Sequence, residues 1–431
     1  MNTTKQNYTL PIIMMIFLFG MIAFVTNLAA PMGVVLKSQF GVSNAMGLLG
    51  NMANFIAYAV MGIPGGLLLQ RVGYKKTALI AIAIGLVGIF IQYLSGHAGL
   101  SSAFVVYLLG AFVAGFSMTL LNTVVNPMLN TLGGGGNKGN QLIQVGGSFN
   151  SVMSTFTPAF VGILIGQAAS EAKIADVFPV MYIAMGVFAF IGIVLWIVSI
   201  PEPHLERASE PIKNLMSGAL QFRHFILGAV GIFVYVGVEV GTPYIAQFWL
   251  SDPLASGVGA ITAGSVAGTY WFMMLIGRLC GASIGSKVSS KTMLTVASAV
   301  AMLFILLAIF LPVTTQVSLP LMLRSETGAL SFGLSQVPIN AMFIVLVGLC
   351  TSIMWGGIYN LAVEGLGKYV AVASGLFMVM VCGGGIIPAI QGWVADKAGY
   401  ILSYWVVFVG FAYLFYFALI GSKNVNKNIS A

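Results

Sequence analysis

The sequence predicts an all-α transmembrane protein of twelve helices in two six-helix halves, and three observations carry that expectation. Of its 431 residues 59% are hydrophobic and 6% are charged, against about 25% charged in a soluble protein. Mean hydropathy is +1.00. Continuous apolar runs of about 18–25 residues recur along the chain, each long enough for a helix to cross hydrocarbon. A β-barrel is excluded, because its strands would alternate polar and apolar residues over about ten positions. The third observation is an internal repeat at half the chain length, described below.

The runs begin near Leu10, Ala45, Thr77, Phe104, Gln141 and Pro179, then near Phe225, Gly259, Thr292, Pro338, Val370 and Ser403. The first is too long for a signal-peptide core and reads as a span. Between the sixth and seventh lies Pro201–His224, PEPHLERASEPIKNLMSGALQFRH, the most polar stretch of the chain. The expected division is therefore residues 1–200, a linker over 201–224, and residues 225–431. Most of the Lys and Arg residues fall on one side of this layout, with only Lys37, Lys173, Arg324 and Lys397 on the other and Arg278 inside the eighth span. The positive-inside rule then puts both termini and the linker in the cytoplasm. The same scatter through short loops argues against nucleic-acid binding, despite a net charge of +8.

The repeat pairs Gly62–Thr77, GIPGGLLLQRVGYKKT, with Gly277–Thr292, GRLCGASIGSKVSSKT, without gaps. Gly62 meets Gly277, Gly66 meets Gly281, and Lys76-Thr77 meets Lys291-Thr292. Each copy falls between the second and third spans of its half. Other glycines sit inside spans at small-residue spacing, where they allow helices to approach closely. Gly133–Gly136 lacks the GK[ST] ending of a phosphate loop and reads as a tight turn. Cys280, Cys350 and Cys382 show no paired spacing, so neither a disulfide nor a metal site is expected.

The chemistry is expected around Glu239, the one charged residue between about Phe225 and Leu250. A carboxyl in hydrocarbon costs roughly 2.5–3.5 kcal/mol, which points it towards a wet cavity and a task. Tyr235, Glu239 and Thr242 share a helical face, and Pro243 is expected to bend or locally open the helix. Further polar residues lie inside spans: Asn27, Asn51, Asn54, Asn122, Asn126, Asn150, Tyr359, Asn360 and Gln391. Amides both donate and accept, which suits a hydroxyl-rich neutral ligand. Trp355, one turn before Tyr359, is placed to stack on a sugar ring. Singly such residues also serve as links between helices. No span supplies a paired nucleophile and base, so neither an enzyme nor a cofactor is expected.

The layout resembles the major facilitator fold, and Gly66, Leu68, Arg71, Gly73 and Lys75 resemble that superfamily's second-to-third loop signature, with Gln70 where an Asp is usual. More closely, NTVVNPMLNTLG (Asn122–Gly133), SFNS (Ser148–Ser151), FVYVGVEVG (Phe233–Gly241), GLGKY (Gly365–Tyr369), SGLFMV (Ser374–Val379) and IIPAIQGWVAD (Ile386–Asp396) resemble the fucose:proton symporter family. The YVGVEV stretch is similar to its glucose/galactose branch. The resemblance implies inverted three-helix repeats within each half and alternating access. It also implies a gating role for Gly66, Arg71, Gly73, Lys75 and Arg278. The first span has no acid, and Asn122 stands where fucose members carry Glu. Glu364 and Asp396 lie at span ends, which leaves Glu239 as the coupling candidate.

The expected function is import of a neutral monosaccharide, a glucose-, galactose- or fucose-type hexose or an N-acetylhexosamine, by a lipid-embedded monomer. The coupling ion is a proton or sodium, carried by Glu239. Asn27, Asn122, Asn126, Asn150, Tyr235, Asn360 and Gln391 are the candidate sugar contacts, with Trp355 or Tyr359 stacking. An uncoupled facilitator and an importer of acidic sugars remain open as alternatives. The second would need Arg278 as its anion ligand.

Overall fold

In the computed structural model, residues 8–425 are described, apart from 133–135, 166–171, 201, 203–211, 285–287, 325–329 and 367–368. Lipid offers the backbone no hydrogen-bond partner, so each apolar run must bond to itself as a helix. The first span is α1 (Thr9–Asn27) with α2 (Ala29–Phe40), and the second is α3 (Asn44–Gly47) with α4 (Leu49–Val72). Then follow α5 (Tyr74–Ser95), α6 (Leu100–Leu132), α7 (Gly136–Ile165) and α8 (Phe178–Ile197). A short amphipathic helix, α9 (Ile212–Ala219), precedes α10 (Arg223–Ser251), α11 (Ala260–Ile284) and α12 (Ser290–Phe310). The last spans are α13 (Ile339–Thr351) with α14 (Met354–Val363), α15 (Val370–Met380) with α16 (Gly383–Ala398), and α17 (Tyr404–Tyr416). All start close to the positions that the apolar runs predict. Lys5, Arg207, Lys287, Lys368 and Lys427, on which the orientation partly rests, lie outside the described residues. So do Gly133, Gly134 and Gly135 and residues 201 and 203–211 of the linker.

Among the described residues, eleven helical segments are long and apolar enough to cross a membrane. The exception is α7, where Ser148, Asn150, Ser151, Ser154, Thr155 and Thr157 lower the hydropathy. Its 30 residues span about 45 Å at the helical rise. It packs between α1 and α11, so those polar groups meet protein.

Three spans are interrupted near mid-length, each for a local reason. Pro31 has no N–H for the Asn27 carbonyl, and the first span breaks at Leu28. The tenth breaks at Ser352–Ile353, where the Thr351 and Ser352 hydroxyls bond back to the Gly348 and Leu349 carbonyls at 3.2 and 2.6 Å. The eleventh breaks at Val381–Cys382, ahead of Gly383, Gly384 and Gly385. Pro388 deprives the Gly384 carbonyl of its helical donor, and Asn51 of α4 supplies one instead at 2.7 Å. Pro243, by contrast, leaves α10 unbroken from Arg223 to Ser251. The break expected there lies on other spans.

One element was not anticipated. Between α12 and α13 the chain forms an antiparallel hairpin, β1 (Gln316–Arg324) with β2 (Leu330–Pro338), in the register Gln316 with Pro338. Leu319 and Leu321 alternate inward and are buried, whereas Leu334 stays exposed.

The first and last six spans meet mainly along α7 and α11 and along α4 and α16. A Cβ on Gly268 would stand 2.5 Å from the Thr155 carbonyl oxygen, and one on Gly264 2.5 Å from that of Pro158. Glycine at these two points is what lets α11 lie directly on the α7 backbone. This seam fixes the height of every residue facing the space between the halves.

Candidate functional site

Between the halves lies a cavity of about 690 Å³. Its wall comes from α1, α4, α6 and α7 on one side and from α10, α11, α12, α14 and α15 on the other. The lining reaches Gly281, Ser290 and Met293, so the cavity extends towards the end of the bundle that carries both termini. At the other end α2 and α3 close against α10 and α16.

Four asparagines share the first wall. The short amide side chains sit on helices whose own backbone is satisfied, so each Nδ2 turns to a nearby acceptor. Asn27 donates to the Ala23 carbonyl and to Ser154 Oγ, both at 2.9 Å. Asn122 donates to the Tyr58 hydroxyl at 2.9 Å and to the Met118 carbonyl at 3.1 Å. Asn126 donates to the Asn122 carbonyl at 3.1 Å, and Asn150 donates to the Phe19 carbonyl across α1 at 3.0 Å. Asn27 Oδ1 is buried without a partner.

The opposite wall holds the charge. Glu239 faces the cavity from α10, within hydrogen-bonding reach of the Tyr235 hydroxyl and in the field of Arg278. Arg278 donates from Nη1 to the Gly147 carbonyl and to Ser151 Oγ, at 2.9 Å for the latter, both on α7 of the other half. Trp355 and Asn360 line the same wall from α14.

Several expected residues lie elsewhere. Tyr235 is buried, 1% exposed, and packs beside Trp355 at 6.2 Å between ring centroids, reaching the cavity only through Glu239. Tyr359 points the other way, bonding to Ser374 Oγ at 2.8 Å and packing on Phe377. Gln391 is fully buried and off the cavity wall, occupying the space that Gly241 leaves on α10. Of the expected gating loop, Arg71 is exposed at the end of α4. Gly73 has φ 85°, and Lys75 donates to the Trp196 and Val198 carbonyls at 2.9 and 2.8 Å. A Glu202 carboxylate caps the start of α5, accepting from the Tyr74 and Lys75 N–H groups at 2.7 and 3.0 Å. Gly66 has open space beside it. Arg278 does not belong to such a loop. The helix α11 continues to Ile284, which carries Arg278 into the cavity wall.

Sequence reasoning missed Trp271. It lines the cavity from α11, is 6% exposed, and its Nε1–H is buried without a partner. Its signal was an indole in mid-span beside Tyr270. Ser154 and Tyr58 were missed as well, and both hold wall asparagines in place.

Twelve spans around one central cavity, polar on both walls and reached from one end of the bundle, define a membrane transporter. The sequence model of the Major Facilitator Superfamily matches residues 12–389, and the chain belongs to that family. It is 29% identical to a glucose/galactose transporter of Brucella abortus, over 98% of this chain and 97% of that protein. It is 28% identical to a putative glucose/galactose transporter of Helicobacter pylori, over 97% and 98%. Among solved structures, the Escherichia coli fucose:proton symporter superposes with a TM-score of 0.68 at 19% identity, covering 97% of this chain and 100% of that one. That transporter has also been solved in an outward conformation with the same score.

Proposed function

We propose that this protein imports a neutral monosaccharide, a hexose or N-acetylhexosamine, together with a proton carried by Glu239. The observation that supports it best is the division of the cavity wall. Asn122, Asn126 and Asn150, whose Nδ2 groups are held by protein, leave carbonyl oxygens for sugar hydroxyls, while Trp355 offers a flat face for the ring. The relatives named for glucose, galactose and fucose support the same class of cargo.

The charges favour a neutral cargo over an acidic one. Arg278 is held by Gly147, Ser151 and the field of Glu239, so the pair adds little net charge to the cavity. A sugar carboxylate would have to displace those partners. Among the described residues Glu239 is the only acid lining the cavity, which makes it the group to take up a proton on one side and release it on the other. One proton crossing 100–150 mV contributes roughly 2.3–3.5 kcal/mol, enough for about two decades of accumulation.

In this reading the protein is a monomer in a bacterial inner membrane, with residues 1–200 and 225–431 as its halves and 201–224 as a cytoplasmic linker. With cytoplasmic termini, the cavity opens inward. The test is uptake of labelled monosaccharides by cells lacking their own carriers. Uptake should be competed by neutral hexoses and collapsed by an uncoupler. Dependence on sodium instead would replace the ion, uptake that only equilibrates the sugar and survives loss of every gradient would point to a facilitator, and competition by uronic or sialic acids would replace the cargo.

A further inference from the structure

At the end opposite the termini, a polar network joins the halves outside the sugar cavity. From the first half come Lys37, in the last turn of α2, and Asn44, the first residue of α3. From the second come Asp252 directly after α10, Asp396 near the end of α16, and Tyr400 between α16 and α17. The Asn44 N–H donates to Asp396 Oδ1 at 2.8 Å, and the Ala45 N–H donates to Oδ2 at 3.0 Å. A helix start in one half is thus capped by a carboxylate of the other. Lys37 Nζ donates to the Tyr400 hydroxyl at 2.8 Å and to Asn44 Oδ1. The Tyr400 hydroxyl donates in turn to Asp252 Oδ2 at 2.8 Å. Burial, and then the Asp252 carboxylate, hold the Tyr400 phenol well above its ordinary range, so it keeps the proton it donates. Below the ammonium lies the Phe248 ring, 5.0 Å from Nζ to the centroid.

We propose that Lys37, Asn44, Asp252, Asp396 and Tyr400 form a latch that closes this end of the transporter and sets how much of it rests open at the terminal end. Every one of these contacts except that between Lys37 and Asn44, and that between Tyr400 and Asp252, crosses between the halves. The network can therefore exist only while this end is shut. One cation sits among two carboxylates, and Asp396 is exposed. Water can replace the partners when the halves part, so the latch biases the equilibrium without freezing it. Charge-assisted bonds at a half-exposed site each shift such an equilibrium by a factor of about two to ten.

The proposal rests on the alternating-access reading, and its test needs no sugar. Ser251 is 5% exposed at the sealed end, and its hydroxyl has no partner. Ser251→Cys, in a chain whose three native cysteines are replaced by Ser, reports opening to a membrane-impermeant thiol reagent added outside the cell. Labelling should be slow with the latch intact and about five- to ten-fold faster in Lys37→Gln and Asp396→Asn. Tyr400→Phe keeps the ring and removes one hydroxyl, the change least able to disturb folding, and should give about a three-fold rise. Parent-rate labelling in Asp396→Asn and Tyr400→Phe at normal membrane levels would overturn the latch. Latch-dependent labelling in a protein that moves no sugar would overturn the sugar reading alone.

Discussion

The two walls of the cavity are built from different chemistry. Among the described residues the wall from the first half has no charge: Asn27, Asn122, Asn126 and Asn150 lie among Phe19, Ile22 and Phe55. The wall from the second half holds both charges, Glu239 and Arg278, and both indoles, Trp271 and Trp355. An amide wall can grip hydroxyls in either protonation state of its partner. A wall with a carboxyl changes its charge when a proton arrives. In the proposed reading, sugar hydroxyls held by the first half and a titrating carboxyl carried by the second would let relative movement of the halves link cargo to ion. One group need not do both.

The sharpest way to break this comparison is Glu239→Gln. Glutamine keeps the size of the protonated acid but releases no proton. Uphill accumulation should fall by about two decades, to the level set by exchange alone, while exchange of labelled for unlabelled sugar continues. If both activities vanish in a well-folded variant, Glu239 grips sugar and the walls are not divided in this way. Arg278→Gln comes next. It removes the cation that reaches from the charged wall to Gly147 and Ser151, and the uptake rate should drop at least about ten-fold, because a buried charged hydrogen bond is worth about 1.5–3 kcal/mol. A measured rate near the parent value would separate Arg278 from coupling.

Smaller effects test the amide wall. Asn126→Ala and Asn150→Ala should each weaken sugar affinity by about one to two decades, or roughly 1–3 kcal/mol, with accumulation ratios preserved at saturating sugar. Equilibrium binding and uptake at saturation together check that split. If the cargo takes up the unpartnered Trp271 N–H, Trp271→Phe will cost about 1 kcal/mol in affinity; unchanged affinity would show that it does not. Tyr359→Phe should change affinity by less than about 0.5 kcal/mol, since its hydroxyl bonds to Ser374 away from the cavity. An affinity loss as large as that of Asn126→Ala would put Tyr359 back among the sugar contacts.

The helices were legible because each apolar run had to satisfy its backbone within lipid, and Glu239 because a lone acid in such a run stands out. What stayed hidden depends on helical phase and on contacts far apart in sequence. Each residue turns a helix by about 100°, so an irregular start at Gly383 is enough to aim Gln391 at Gly241 and away from the cavity. Arg278 was assigned to a loop by its match to the first-half repeat, but α11 extends past it. The hairpin over Gln316–Pro338 holds Pro320 and short alternations, which a search for long apolar runs passes over. Lys37 and Tyr400 read as ordinary loop-side residues, since nothing local in the sequence says that they touch.

The bond from Asn51 to the Gly384 carbonyl has one further consequence. Pro388 has left that oxygen without the usual donor four residues on, and a donor from the opposite half stands in. When this end of the transporter opens, the oxygen must find water, and so must the amide it leaves. The vestibule that opens at this end must therefore be wetted at least to the depth of Gly384. The proline works as a drain plug: it makes separation of the halves and the advance of water to that level a single event.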